Sequence, residues 1–474
     1  FCGKMNRTLK VPGLPLVKVK VHEREASPIL QFICTKNLTT TGWLIVKGEE
    51  ITDEHEKSSY CSQEFVIKCQ NIQQVKRAEY DHVVPKPLIM SFDLEVNSTN
   101  VNQMPKAQRP GDKIFQISLI LSQQGNYENA VGKYLITLGN PLQNIVGDDV
   151  SIINCQTESD LLIAFRDFII QHNPQLMVGY NIFSFDIPYL IERASLNMIT
   201  YSFDQLDCRK GHHCPEDIIK WSSSAYKNQE FRYMKTEGRV FVDLLPLVQR
   251  DYKFDNYKLK TISTFFLGET KDPLTPKGIF KCYSLGMAGG ERGDKAMGVV
   301  GKYCIQDSVL VTKLVELMEI WVGLTEMAKI CYVPIFTLYT QGQQIKVYSQ
   351  VYMQCMYTNY VVESNGYITK DSENYTGATV VQPVPGAYDR VIPFDFTSLY
   401  PTTMITHNID YSKLIPEDNT SIPDEHCNVI EWDDHIGCEH DTTVRKTKPK
   451  NIICGHNHYR FLKSEMSGLG VMPT

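Results

Sequence analysis

The chain has 474 residues, a net charge of −6, and 42% hydrophobic against 22% charged residues. That balance fits a globular protein of roughly two to four domains and excludes low-complexity or fibrous classes. No apolar run approaches the ~20 residues that cross a bilayer, so no membrane partner is expected, and the fourteen cysteines, scattered without a repeating spacing, point to reduced thiols inside a cell.

The opening "FCGKMNRTLK" has no apolar signal core and no initial Met, and reads as the inside of a longer chain. Residues 1–85 alternate short apolar runs with polar turns ("PLVKVKV", "ILQFICT", "GWLIVKG", "EFVIKC") and read as a β-rich N-terminal domain. "VVPKP" at 83–87 reads as a linker. Residues 86–320 read as an α/β domain. "LIMSFDLEV" and "IFQISLIL" are strands, and "ESDLLIAFRDFIIQH" (158–172) is a helix. "QLMVGYN" is a short strand, and "SFDIPYLIERASL" a helix capped by Ser184. "GRVFVDLL" is a strand and "MGVVGKYCIQDSVLVTKLVELMEIW" a long helix. Residues 321–374 form a helical connector. From 375 to 474 strands and turns return, with a Cys/His-containing insertion.

The strand "SFDLEV" places Ser91, Asp93 and Glu95 on one face and Phe92, Leu94 and Val96 on the other. Two neighbouring carboxylates repel, and burying either without a partner is costly. A divalent cation removes that penalty. Asp186, at a helix start in "NIFSFD", and Asp307, four residues after Tyr303 on a helix in "YCIQD", supply two more carboxylates. Each piece alone has a plainer reading: an edge-strand feature, a helix cap, a solvated helix face. Together they suit two metals about 4 Å apart that activate a water and stabilise a leaving oxygen. Oxygen ligands favour Mg²⁺ or Mn²⁺ over zinc. Tyr303 is suited to orienting the water, and Asn181 and Phe185 to holding a single strand by hydrogen bonding and stacking. The mild net acidity does not exclude nucleic acid, because a carboxylate-rich nuclease can keep a local basic groove.

"FDLE", "NIFSFD" and "YCIQD" resemble the three exonuclease motifs of family B DNA polymerases, the proofreading 3′→5′ type with a ribonuclease-H-like fold. "VDLLPLVQRDYKFDNYKLKTISTFFLG" is similar to the same domain, and "QGQQIKV" to the delta-type members. "YTGATV" resembles the tyrosine–glycine motif between the exonuclease and polymerase sites, and "DFTSLYPTTMITHNI" resembles motif A of an α+β palm. Within the family the chain is most similar to polymerases of large nucleocytoplasmic DNA viruses. The resemblance implies that Asp93, Glu95, Asp186 and Asp307 bind the exonuclease metals and that Tyr303 positions the water. It implies that Tyr375 and Gly377 contact DNA and that Asp395 binds the polymerase metals. It also implies that Phe396, Ser398 and Leu399 meet the triphosphate, with Tyr400 under its sugar. Thr402 and Ala378 depart from the usual pattern but are small residues in small positions. The implied partners are a DNA primer–template, deoxynucleoside triphosphates and a processivity factor. The implied location is intracellular, in the nucleus or a cytoplasmic viral factory. Residues 396–474 contain neither a "YGDTDS"-like nor a "K…NSLYG"-like motif, so a piece of a longer polymerase is expected, one that excises without extending.

Two Cys/His stretches remain. "HIGCEH" and "CGHNH" make Cys438, Cys454 and His456 candidate Zn²⁺ ligands. Their spacing departs from a standard finger, so a solvated His-rich loop is the reading kept. "CRKGHHC" (208–214) reads as an unstructured loop. Two rivals to the polymerase reading are a free-standing nuclease acting on RNA and a non-catalytic scaffold. The motif A stretch counts against the first, and the intact acidic set against the second.

Overall fold

The computed structural model describes residues 6–9, 12–13, 15–20, 23, 26–75, 80, 83–126, 131–223, 227–270, 273–362, 381–434 and 455–474. Two compact units divide the chain: residues 1–28 with 350–474, and residues 29–349.

Strands β1 (Asn6–Leu9) and β2 (Val17–Lys20) form an antiparallel pair, and so do β3 (Leu44–Glu50) and β4 (Phe65–Gln74). Between them "ILQFICT" is not a strand. It lies in a helix, Pro28–Lys36, that buries Leu30, Ile33 and Cys34. Those positions are spaced i, i+3, i+4, a helical stripe, and Pro28 fits the first helical position, where its missing N–H is not needed.

The larger unit is built on a six-stranded sheet. Its strands are β5 (Leu88–Val96), β6 (Ile114–Gln123), β7 (Gly132–Leu138), β8 (Val150–Cys155) and β9 (Leu176–Gly179), joined by β12 (Val240–Asp243) after a separate hairpin of β10 (Glu216–Ser223) and β11 (Lys227–Met234). The spatial order is β12-β9-β5-β6-β7-β8. β5, β6 and β7 form an antiparallel meander, β9 runs parallel to β5, and β12 runs parallel to β9. This is the ribonuclease-H-like arrangement, and it puts β5 at the centre with both faces covered.

The apolar face of β5 meets the Glu158–His172 helix, with Phe92 and Phe165 ring centroids 5.7 Å apart. Thr157 and Asp160 cap that helix reciprocally: the Thr157 hydroxyl accepts from Asp160 N at 3.2 Å, and Thr157 N donates to Asp160 Oδ2 at 2.9 Å. Glu158 and Arg193, at 2% and 1% exposure, form a buried bidentate ion pair. Ile114 N also donates to Glu158, and Arg193 donates to the carbonyls of Ala107, Arg109 and Pro110. Asn197 Nδ2 donates to Glu158 Oε2 at 3.1 Å, so the polar atoms of this pair are satisfied by the chain entering β6 together with Asn197, which is what makes a buried pair tolerable.

The long helix begins at Glu291, ends at Leu317, and is followed by a second helix, Ile320–Cys331, in place of one uninterrupted element. The strand expected in "GRVFVDLL" stops at Asp243, whose side chain caps the following helix, Leu244–Asp251.

In the smaller unit β13 (Leu414–Ile415), β15 (Gly455–Leu462) and β14 (Cys427–Asp434) form an antiparallel sheet in that order. Asn408 follows the Leu399–His407 helix and ties it to the sheet and the segment after it, donating to Leu462 O at 2.8 Å and accepting from Gly470 N at 2.8 Å.

Candidate active site

Ser91, Asp93 and Glu95 project from β5 toward the Glu291–Leu317 helix, and cross-strand Ser118 and Gln116 lie beside them. Hydroxyl groups join sheet and helix. Thr312 donates to Ser91 Oγ at 2.8 Å, Ser118 donates to Cys304 O at 2.9 Å, and Ser118 and Ser308 share a hydrogen bond of 2.7 Å. Gln116 Nε2 reaches Met297 O at 3.0 Å. The helix approaches so closely that a Cβ on Gly301 would lie 2.6 Å from Leu135 Cδ2. Small residues and paired hydroxyls therefore set the register of the helix on the sheet, and that register delivers Tyr303 and Asp307, one turn apart, to the end of β5.

Asp186 arrives from the other side, in the first turn of the Asp186–Leu196 helix. The loop before it turns through Asn181 at φ 67°, a left-handed conformation that Asn tolerates better than most residues. Asp243, 1% exposed, holds this loop: its carboxylate accepts from Asn181 N at 2.7 Å, Phe183 N at 3.1 Å and Leu245 N at 3.0 Å. Burial pushes the Asp243 carboxyl up to about 6 against the pull of those donors. Ser184 is exposed and does not cap the helix. The cap position is Phe185, with no side-chain cap bond, and the first turn is served by the backbone instead: Ile187 N donates to Ile182 O at 2.9 Å. Asp243 was not singled out from the sequence, although an Asp directly before "LLPLVQ" is a helix-cap signal.

These segments surround a cleft of about 320 Å³ lined by Asp93, Glu95, Phe185, Tyr303 and Asp307, with Tyr180 and Phe280 among the other walls. Asp186, 3% exposed, lies against Asp93. Its carboxyl is held well above the usual range, first by burial, then by the charges of Asp93 and Asp243. Its Oδ1 is buried and takes no hydrogen bond. Among the described residues that line the cleft there is no Lys or Arg. Concentrated carboxylate, an orphaned buried oxygen and no side-chain cation in the wall are the donor set for hard divalent cations. Cys304, absent from the sequence-based set, also belongs here: its Sγ and carboxylate oxygens of Asp93 and Glu95 all lie within 4.8 Å of one another. Burial, then Glu95 and Asp93, push its thiol well up. Phe185 stands half-buried at the wall, its ring 5.4 Å from that of Tyr189. Asn181 is not among the lining residues. Its backbone shapes the loop: Asn181 N donates to Asp243, and its carbonyl accepts from Ser184 N at 3.2 Å and Phe185 N at 3.1 Å.

The other candidates lie in the smaller unit. Asp395 and Phe396 sit on an exposed irregular stretch. Ser398, in the left-handed region at φ 48°, leads into the helix that carries Leu399 and Tyr400. Tyr375 and Gly377 lie outside the described residues, as do Cys438 and Cys454. His456 is exposed on β15 and pairs with Asp433 on β14, its Nδ1 2.8 Å from Oδ1. That hydrogen bond raises its pKa.

A sequence model of the exonuclease domain of DNA polymerase family B matches residues 19–262, and one of DNA polymerase family B matches residues 333–464. The chain belongs to this family. It is 45% identical to DNA polymerase 120R of Invertebrate iridescent virus 3, over 98% of this chain and 44% of that protein. It is 33% identical to DNA polymerase 037L of Invertebrate iridescent virus 6, over 95% of this chain and 43% of that protein. With the DNA polymerase delta catalytic subunit of Plasmodium falciparum the identity is 32%, over 96% and 38%. The chain thus spans less than half the length of these curated relatives. Its fold is similar to that of the family B DNA polymerase of the archaeon Pyrobaculum calidifontis, with a TM-score of 0.60 at 18% identity, covering 97% of this chain and 49% of that one.

Proposed function

We propose that the cleft removes nucleotides from a 3′ DNA end by hydrolysis with two divalent cations, Mg²⁺ or Mn²⁺, as the proofreading part of a DNA-directed DNA polymerase. The observation that carries this reading is the gathering of Asp93, Glu95 and Asp307 around one cleft, with the orphaned Oδ1 of Asp186 buried against Asp93. In this reading those four carboxylates hold the ions. Bound ions of this kind lower the pKa of a water and stabilise the departing oxygen of a phosphodiester. Burial and the charges of Asp93 and Asp243 make the ionised form of Asp186 costly, and a bound cation would offset that cost. Tyr303, 8% exposed and one helical turn from Asp307, orients the attacking water through its hydroxyl. Phe185 stacks on a base of the frayed end, and Asn181 binds the strand behind it.

In the intact enzyme Asp395 binds the polymerase metals, the backbone at Phe396, Ser398 and Leu399 meets the triphosphate, and Tyr400 stacks under its sugar. Tyr375 and Gly377 hold template. The partners are primer–template DNA, deoxynucleoside triphosphates and a processivity factor, and the setting is intracellular, in the nucleus or a cytoplasmic viral factory. The family membership supports these roles.

The test is end-labelled 3′-recessed DNA, and its RNA counterpart, incubated with the chain and Mg²⁺. Stepwise shortening of the DNA that stops on chelation is expected. No release by the folded, Mg²⁺-supplied chain would overturn the reading, and preferential digestion of RNA would replace it with a ribonuclease.

A further inference from the structure

We propose that the loop between the Thr200–Phe203 helix and β10 is a zinc site, with the ion held by Asp207, His212 and Cys214 and with water as the fourth ligand. A carboxylate oxygen of Asp207, a ring nitrogen of His212 and Cys214 Sγ lie within 4.8 Å of one another. Asp207 is fully buried and Cys214 is 2% exposed. The mixture of oxygen, nitrogen and sulfur separates this group from the cleft above, whose carboxylates suit harder ions. A thiolate with an imidazole selects zinc over magnesium.

The "CRKGHHC" stretch is irregular in backbone, as its sequence suggests, but it is not loosely held. Arg239, 3% exposed, donates to Leu206 O and Pro174 O at 2.9 Å each and to Asp207 O at 3.4 Å. Cys214 N donates to Asp204 O at 2.9 Å. The Asp207 carboxylate is oriented by Arg209 N at 2.9 Å and Glu237 N at 3.3 Å, and Arg209 Nη2 reaches its Oδ2 at 3.5 Å. Such partners behind a ligand fix its direction.

Two atoms mark where the ion sits. His212 Nδ1 is buried and lies 2.8 Å from Asp207 Oδ2, yet it makes no hydrogen bond. With Nδ1 deprotonated the two atoms would be acceptors facing a common point, an arrangement that a cation bridges. In a tetrahedral zinc site with ligand distances of 2.0–2.1 Å, an oxygen–nitrogen edge is about 3.3 Å, so the imidazole needs to relax outward by roughly half an ångström. It can do so, because its side chain is 36% exposed.

Arg209 is the competitor. Its guanidinium meets His212 Nε2 at 2.6 Å. Coordination through Nδ1 places the imidazole proton on Nε2, and two donors cannot face each other. Arg209, 38% exposed, must then turn to Glu237, which it already meets at 3.3 Å. The loop also anchors the segment before β4: Tyr60 N donates to Cys208 O at 2.8 Å, and Lys210 N to Ser58 O at 2.7 Å. The ion therefore clamps this segment onto the exonuclease domain.

The experiment uses the full chain. Metal content is measured after dialysis, and the stripped protein is titrated with Zn²⁺ and with Co²⁺. About one tightly held zinc is expected, with a thiolate-to-cobalt charge-transfer band that disappears in Cys214→Ser and weakens strongly in His212→Ala. Arg209→Gln should tighten Zn²⁺ binding several-fold. Cys438→Ser and Cys454→Ser should leave the band intact. Absence of saturable Co²⁺ binding by the stripped wild type overturns the proposal. So does a band that stays at full strength in folded His212→Ala or vanishes with Cys438→Ser. If Cys214→Ser fails to fold, the wild-type titration and the His212 and Arg209 variants still decide.

Discussion

Asp186 and Asp395 are read as metal ligands of the same kind, yet their surroundings are opposite. Asp186 is 3% exposed, packed against Asp93, and carries an oxygen with no hydrogen bond. Asp395 stands exposed on a stretch whose neighbours Ile392, Phe394 and Phe396 are 74%, 92% and 75% exposed. A motif names the residue type, but enclosure gives the carboxylate its chemistry. Burial and like charges make Asp186 expensive to ionise alone and therefore responsive to a cation.

The contrast can be broken most forcefully at the enclosed end. Asp93→Ala combined with Glu95→Ala should lower excision by roughly three or more orders of magnitude, while the melting temperature stays level or rises because a repulsive pair is gone. Ordinary excision by the folded double variant would show that the cleft is not the reacting site. Next in size is the frame: Arg193→Met leaves Glu158 charged and unpaired in the core and should remove about 3–5 kcal/mol of stability in denaturant titrations. A loss below 1 kcal/mol would mean that the pair is not buried as described.

Phe185→Ala should weaken capture of single-stranded 3′ ends by about 5- to 150-fold, from a stacking energy of about 1–3 kcal/mol per base, with metal affinity unchanged. Lost metal binding would identify Phe185 as a packing residue only. Asp186→Asn sharpens the electrostatic half of the comparison. A carboxyl whose folded pKa is raised binds protons more readily folded than unfolded, so the metal-free wild type loses stability as pH rises from the unfolded value through the raised folded one. The variant should lack that loss, and the stability difference in its favour should grow from pH 4 upward. A difference flat with pH would sink the assignment. The smallest effect is expected at the open end: Asp395→Ala should change stability by less than about 0.5 kcal/mol, as exposed substitutions do.

The sheet, the Glu158–His172 helix and the segments that carry the acidic residues were legible because each depends on local pattern. β5 shows its alternation and the Glu158–His172 helix its periodicity, and Asp307 follows Tyr303 by one turn. The parts that were not legible depend on what meets across the chain. "ILQFICT" holds apolar residues in an order that both strand and helix permit, and only packing of Leu30, Ile33 and Cys34 decides. Ser184 has the side chain of a cap, but Asp243, 59 residues later in number, already satisfies the loop's donors. Cys304 sits inside a motif that was read for its Tyr and Asp, and only the close approach of helix to sheet brings its sulfur to the carboxylates.

The hydroxyl ladder between β5, β6 and the Glu291–Leu317 helix has a consequence for the timing of synthesis. Asp93 leaves the ribosome long before Asp307. At about 5–20 residues per second the interval is on the order of ten seconds or more. Until the helix docks, the early carboxylates have no partner segment, and the ladder accepts the helix in one register only, because a slip of one residue unpairs Ser91, Ser118, Ser308 and Thr312 together. A growing chain therefore lacks a completed acidic cleft. On the proposed function, excision would begin only once the Glu291–Leu317 helix has docked, and would report completed folding and not merely the presence of the acidic residues.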